Sequence, residues 1–132
     1  MREVGLSLAQ RWRALGDRFG NRLVAANALL LMLASWTPGS VMVRSGIFSG
    51  HVEHMAAYAL SGALMYAARM GRSTVWQAGL MLSAYAGALE LGQIFVPGRQ
   101  ASFGDFLFSM AGAITGVLLG AALLRHAHLG GK

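Results

Sequence analysis

The sequence predicts an all-α integral membrane four-helix bundle with an N-terminal amphipathic interfacial helix, and three observations predict it. Of the 132 residues, 55% are hydrophobic and only 12% charged, with a mean hydropathy of +0.51. A soluble domain carries about 25% charged residues, so this composition cannot build an ordinary water-facing surface. Four apolar runs each approach the roughly 17 to 25 residues that a membrane-crossing helix requires. The basic residues, finally, collect at one set of ends of those runs. The net charge of +6 does not point to nucleic acid, because the arginines flank apolar runs and form no contiguous basic face. The absence of cysteine excludes disulfides, cysteine-held zinc, iron–sulfur clusters and thiol nucleophiles. No repeat, linker or low-complexity tract divides the chain, which reads as one domain over residues 1–132.

The elements follow in order. In the N-terminal segment 1–22, Leu8, Trp12, Leu15 and Phe19, continued by Leu23, recur at helical spacing with arginines between them, the pattern of an amphipathic helix lying in the membrane interface. It runs into a first span over about 20–36, where Thr37-Pro38-Gly39 stops the helix near Trp36. A signal peptide is the competing reading of this region, but no small-x-small cleavage site follows it. The second span covers about 53–70, extended by snorkelling of Arg69 and Arg72. The third, 74–96, opens on Thr74-x-x-Gln77, the spacing of a capping box, and ends at Pro97-Gly98. The fourth, 105–124, carries Gly112, Gly116 and Gly120 at four-residue spacing, a small-xxx-small stripe that lets another helix approach closely. Continued outward, the same stripe reaches Ser109 and Asp105.

Charge sets the orientation. Arg2, Arg11, Arg13, Arg18, Arg22, Arg69, Arg72, Arg125 and Lys132 fall on one side of the spans, against Arg44 and Arg99 on the other. By the positive-inside rule both termini are cytoplasmic, which suits an even number of crossings. The outer half then collects His51, Glu53, His54, Glu90, Gln93, Arg99 and Asp105, while the inner half holds little beyond Asn27 and Gln77. A transporter or channel needs polar groups through the full depth, so this asymmetry argues for a site at the outer face.

Each candidate has a structural reading beside the functional one. Glu90 lies about 9 Å below the outer end of the third span by helical rise. A charge near a helix centre costs about 2.5–3.5 kcal/mol against lipid, so Glu90 should face the bundle interior, with Arg99 or His54 as partner. Gln93 shares its face, and the pair is either an interhelical clamp or part of a site. Ser102-x-x-Asp105 has capping-box spacing, which would account for Asp105 without any ligand. His54, with Tyr58 and Ser61 on its face, is either interfacial or a site residue, and Arg99 is either a loop cation meeting headgroups or an anion ligand. Arg125-His126-Ala127-His128 lacks the third ligand that a metal needs, and no metal or cofactor is expected. Trp12, Trp36 and Trp76 sit at predicted interfaces, where indoles are enriched.

Taken together, His54-x-x-x-Tyr58, Glu90-x-x-Gln93-x-x-x-Pro97-x-Arg99 and Ser102-x-x-Asp105-x-x-x-Ser109-x-x-Gly112-x-x-x-Gly116 resemble the VanZ-like family of small bacterial membrane proteins over about residues 51 to 120. The family's first block usually reads Asp-Lys-x-x-His, where this chain has His51-Val52-Glu53-His54, and it tends to have Asn in place of Ser109. The resemblance implies a bacterial inner-membrane location; one named member is associated with low-level resistance to the glycopeptide teicoplanin. The expected function is a polar pocket at the extracytoplasmic face that engages a cell-envelope lipid or glycopeptide-type headgroup through Arg99, Gln93, Glu90, His54, Tyr58 and Asp105. Two alternatives stand beside it. One is an accessory subunit docked by the glycine face onto a larger membrane complex or a second copy. The other is a hydrolase or transferase on a lipid-linked substrate, with His54, Glu90 or Asp105 as acid and base but no nucleophile motif.

Overall fold

The computed structural model describes residues 8–41, 49–68 and 74–129, with side chains described over 17–41, 49–68 and 74–126. The charges at Arg2, Arg44, Arg69, Arg72 and Lys132, and the side chains of Leu8, Trp12, Leu15 and His128, lie outside the described side chains. Among the described residues the chain is all-helical, with α1 Leu8–Trp36, α2 Gly50–Ala68, α3 Val75–Gly92 and α4 Phe103–Leu129. A short 3-10 turn, Gln93–Phe95, closes α3.

The amphipathic segment and the apolar run that follows it belong to one unbroken helix, Leu8–Trp36. At 1.5 Å per residue, the 29 residues of α1 extend about 43 Å. Capping at α3 follows the spacing: Gln77 N–H donates to Thr74 Oγ1 (3.2 Å), and the Thr74 N–H donates back to Gln77 Oε1 (3.1 Å). One described stretch, Phe103–His126 in α4, is long and apolar enough to cross a membrane, with a mean hydropathy of 2.0 over its most apolar window.

Packing depends on small residues. The most extensive contact is α2 against α4, where Gly112, Gly116 and Gly120 lie against the backbone of Met55, Ala59 and Ala63. The fit is reciprocal, because a Cβ on Gly62 of α2 would sit 2.6 Å from the Ala113 carbonyl oxygen. This close backbone approach maximises dispersion contact between the two helices. Tyr58, Leu82, Ala86 and Ala113 form the buried core, flanked by Leu31, Met65, Tyr85 and Phe106.

α1 is secured by polar contacts along its length. Ser61 Oγ donates to Asn27 Oδ1 (3.1 Å), the Tyr85 hydroxyl to the Ala28 carbonyl (2.7 Å), and Trp36 Nε1 to the Leu89 carbonyl (3.2 Å). The Trp36 indole lies over Gly92, where a Cβ would be 2.6 Å from Nε1. Beyond α1, Gly39 N–H donates to the Pro97 carbonyl (3.3 Å), and Gly98 turns that second loop with a φ of 74°, a left-handed conformation that glycine adopts without steric cost. The C-termini of α1 and α3 and the N-termini of α2 and α4 thus meet at one end of the bundle.

Candidate functional site

That end holds the polar residues the sequence singles out. Its framework is the start of α4. Ser102 Oγ accepts from the Asp105 N–H (3.2 Å), satisfying one of the donors that a helix N-terminus leaves unpaired. In a complete capping box the carboxylate of Asp105 would return to the Ser102 N–H. Here that N–H donates to Glu90 Oε1 of α3 instead, at 2.5 Å. Glu90, 7% exposed, therefore joins α3 to the mouth of α4, and the Asp105 carboxylate turns toward α2.

Two histidines of α2 receive it. His51 Nδ1 lies 2.7 Å from Asp105 Oδ1, with the ring stacked on Phe108 at 5.0 Å between centroids and 14° between planes. A Cβ on Gly104 would come within 3.0 Å of the His51 ring, so glycine there lets the imidazole settle against the helix. His54 Nδ1 is 3.2 Å from Ser109 Oγ, and its Nε2 is 3.9 Å from Asp105 Oδ2. The carboxylate, in the first turn of α4 where negative charge is favoured, thus faces both rings. Ser109 is 2% exposed, so the hydroxyl within reach of His54 is not presented to a substrate. His51 belongs to the cluster although the sequence points first to His54; the available signal is its i−3 relation to His54, which puts both on one face of α2.

Arg99 and Gln93 converge on Ser35 at the end of α1. Arg99 donates from Nε to the Ser35 carbonyl (3.2 Å), and from Nη2 to the Ala34 (2.9 Å) and Ser35 (3.0 Å) carbonyls. These carbonyls belong to the last turn of a helix, where they lack intrahelical partners and attract a cation. Gln93 Nε2 donates to Ser35 Oγ at 2.8 Å.

Three cavities open around these residues. One of about 140 Å³, between α1, α2 and α3, is lined by Glu53, His54, Tyr58, Glu90, Arg99 and Ser35 together with apolar Leu31, Ala34 and Ala57. A second, about 440 Å³ and mainly polar, lies across Arg99 and is bordered by Gln93, Gln100, Ser102, Asp105 and the glycines Gly39 and Gly98. The third, about 370 Å³, is apolar and lies between α3 and α4, where Glu90 and Ser102 meet Leu91, Phe103 and Phe106. The structure thus places His54, Tyr58, Glu90 and Arg99 on one cavity, and Arg99, Gln93 and Asp105 on the next. Among the described residues, no three His, Asp or Glu side chains converge as a metal ion requires.

The family model described as VanZ/LLP1 matches residues 6–125. No curated protein and no solved structure matches the chain.

Proposed function

The chain belongs to the VanZ/LLP1 family, and from that premise we propose that it is a single-domain, multi-pass protein of the bacterial inner membrane that holds the headgroup of a cell-envelope lipid in the outer cavity lined by Arg99, Glu53 and Glu90. Both termini are cytoplasmic in this reading, and the cavity faces the extracytoplasmic leaflet. The distribution of exposed apolar side chains supports the bilayer setting. Leu30 on α1, Leu60 on α2, Leu80 on α3 and Leu123 on α4 are each between 65% and 73% exposed, and every helix carries further exposed large apolar side chains beside them, as a surface facing hydrocarbon does.

The observation that carries the headgroup reading is the 140 Å³ cavity itself, where one cation and two carboxylates, with an imidazole and a phenol, line a single space enclosed by three helices. Arg99 supplies the positive field for a phosphate or carboxylate, while Glu53, Glu90 and Tyr58 accept from ammonium or hydroxyl donors. An amphiphile with both kinds of polar group complements the charged side chains of this wall, and its apolar part meets Leu31, Ala34 and Ala57. Teicoplanin resistance is an association of another member, and a glycopeptide enters here only as a competitor for the same cavity.

Native mass spectrometry of protein released in mild detergent tests the proposal. The wild type retains a phospholipid, and Glu90→Gln and His54→Ala, both folded, lose most of it; added teicoplanin displaces it if glycopeptides share the site. Equal retention by all three proteins would contradict the reading. The short His51–Asp105 contact favours a second reading, acid–base chemistry on a lipid-linked substrate. That reading requires turnover of an added envelope lipid, lost in His51→Ala.

A further inference from the structure

Glu90 and Tyr58 are nearly enclosed, at 7% and 5% exposed, and both line the 140 Å³ cavity. Glu90 Oε1 accepts from the Ser102 N–H. Among the described residues, no group hydrogen-bonds to the second Glu90 oxygen, Oε2, or to the Tyr58 hydroxyl. Yet none of the described side chains leaves a fully buried oxygen without a partner, so both of these oxygens open onto accessible space. Enclosed polar groups are ordinarily paired within the protein. Two that are not, on the lining of one cavity, mark the points at which a ligand can bond.

The charges around them favour a cation. Among the described residues Glu90 forms no ion pair with a Lys, Arg or His side chain. His54, on the same lining, is engaged by α4 through Ser109 and faces Asp105. Arg99 directs Nε and Nη2 at the Ser35 and Ala34 carbonyls, where the C-terminal end of α1 offsets about half an elementary charge. Glu53 adds a second carboxylate to the wall. A carboxylate withdrawn from water is costly unless a positive charge and hydrogen bonds accompany it. A primary ammonium supplies both, as a compact charge with three N–H donors and no acceptor. A headgroup hydroxyl donates once and leaves the charge uncompensated, and a trimethylated ammonium brings charge without an N–H.

We propose that this cavity selects a lipid whose headgroup bears a primary ammonium, which donates to Glu90 Oε2 and to the Tyr58 hydroxyl. This rests on the headgroup reading and names its ligand class. The lipid is an aminophospholipid of the phosphatidylethanolamine type, taken in preference to anionic, hydroxyl-bearing and N-methylated lipids. Its phosphate lies toward Arg99, the cation of the same wall.

The experiment uses full-length protein stripped of lipid in detergent and offered phosphatidylethanolamine, phosphatidylcholine and phosphatidylglycerol with identical acyl chains, in competition, with bound lipid read by native mass spectrometry. The wild type retains phosphatidylethanolamine in preference to each of the others by about tenfold, the worth of one charge-assisted hydrogen bond. Glu90→Gln, which keeps an acceptor for the Ser102 N–H, brings phosphatidylethanolamine down to the level of the other two. Tyr58→Phe, which removes only the hydroxyl, reduces the preference in part. Leu60→Phe, on the exposed face of α2, leaves it intact. A wild type that holds phosphatidylglycerol or phosphatidylcholine as firmly as phosphatidylethanolamine overturns the proposal, as does a preference that survives in both site variants. If the three lipids bind equally and Glu90→Gln and His54→Ala weaken all of them, the headgroup reading stands and the ammonium assignment alone fails. Soluble glycerophosphoethanolamine, offered separately, distinguishes a free amine from a membrane lipid. The proposal expects it to bind more weakly than the lipid; equal binding contradicts the lipid as source. If neither it nor any lipid binds, the headgroup reading falls and the proposal with it.

Discussion

Alanine placed at Gly62 and, in a separate protein, at Gly79 should move stability in opposite directions, although both are buried helical glycines and the chemical change is the same. At Gly62 the new methyl would lie 2.6 Å from the Ala113 carbonyl oxygen and 2.9 Å from the Val117 nitrogen, where ordinary contact begins at 3.4 Å. Both neighbours are α4 backbone, which cannot rotate aside, so the two helices must separate along their closest contact. A gap of 0.5–1 Å forfeits about a quarter to a half of each dispersion well, and overpacking of this kind costs about 1–3 kcal/mol. The gain from replacing a helical glycine, about 0.5–1 kcal/mol, does not offset it. At Gly79 the nearest atom is Ile114 Cγ1 at 3.8 Å, so the methyl fits and that gain of about 0.5–1 kcal/mol stands alone. Reversible unfolding in mixed micelles, titrated with dodecyl sulfate and followed by circular dichroism, measures both. If Gly62→Ala is as stable as the wild type, or Gly79→Ala is destabilised by a similar amount, the account of the α2–α4 contact is wrong.

Arg99→Ala removes three hydrogen bonds from the Ala34 and Ser35 carbonyls and should cost about 2 kcal/mol in the same assay, with faster amide exchange at the end of α1; Arg99→Lys, lacking the planar fork, recovers only part of it. Ser102→Ala deletes the α4 cap and should cost about 1 kcal/mol. Asp105→Asn leaves that backbone-to-Ser102 bond in place and weakens the partly exposed contacts with His51 and His54, which surface ion-pair magnitudes put at about 1 kcal/mol or less. Glu90→Ala leaves the Ser102 N–H without its carboxylate partner, a loss of about 1–3 kcal/mol, whereas Glu90→Gln keeps an acceptor and should stay close to wild type in stability.

Three of the four helices carry a local signal, the Pro38 stop of α1, the Thr74-x-x-Gln77 box and Pro97 stop of α3 and the glycine stripe of α4, whereas α2 was legible only as an apolar run. The stripe announces a close neighbour but not which one, since any helix with small residues could meet it; that it is α2 depends on Ala59, Ala63 and Gly62 standing opposite, a tertiary fact. The gathering of polar residues at one end was also legible, from chain direction alone. Their pairing was not. Ser102-x-x-Asp105 is an acceptable capping box in one dimension, and only the approach of α3 shows Glu90 taking the place of Asp105 at the Ser102 N–H. Similarly, Arg99 reads as a loop cation until α1 presents its last carbonyls within reach.

The absence of cysteine gives the central claim, a bundle that crosses the bilayer with its polar end outside the cytoplasm, a clean test. Gln100 borders the 440 Å³ cavity that lies across Arg99 and His126 is exposed near the opposite end of α4; each is replaced by cysteine in its own variant and treated in intact spheroplasts with a membrane-impermeant maleimide. The account predicts that Gln100→Cys is labelled at once and His126→Cys only after the membrane is opened. Labelling of His126→Cys in sealed cells, with Gln100→Cys protected, would contradict it.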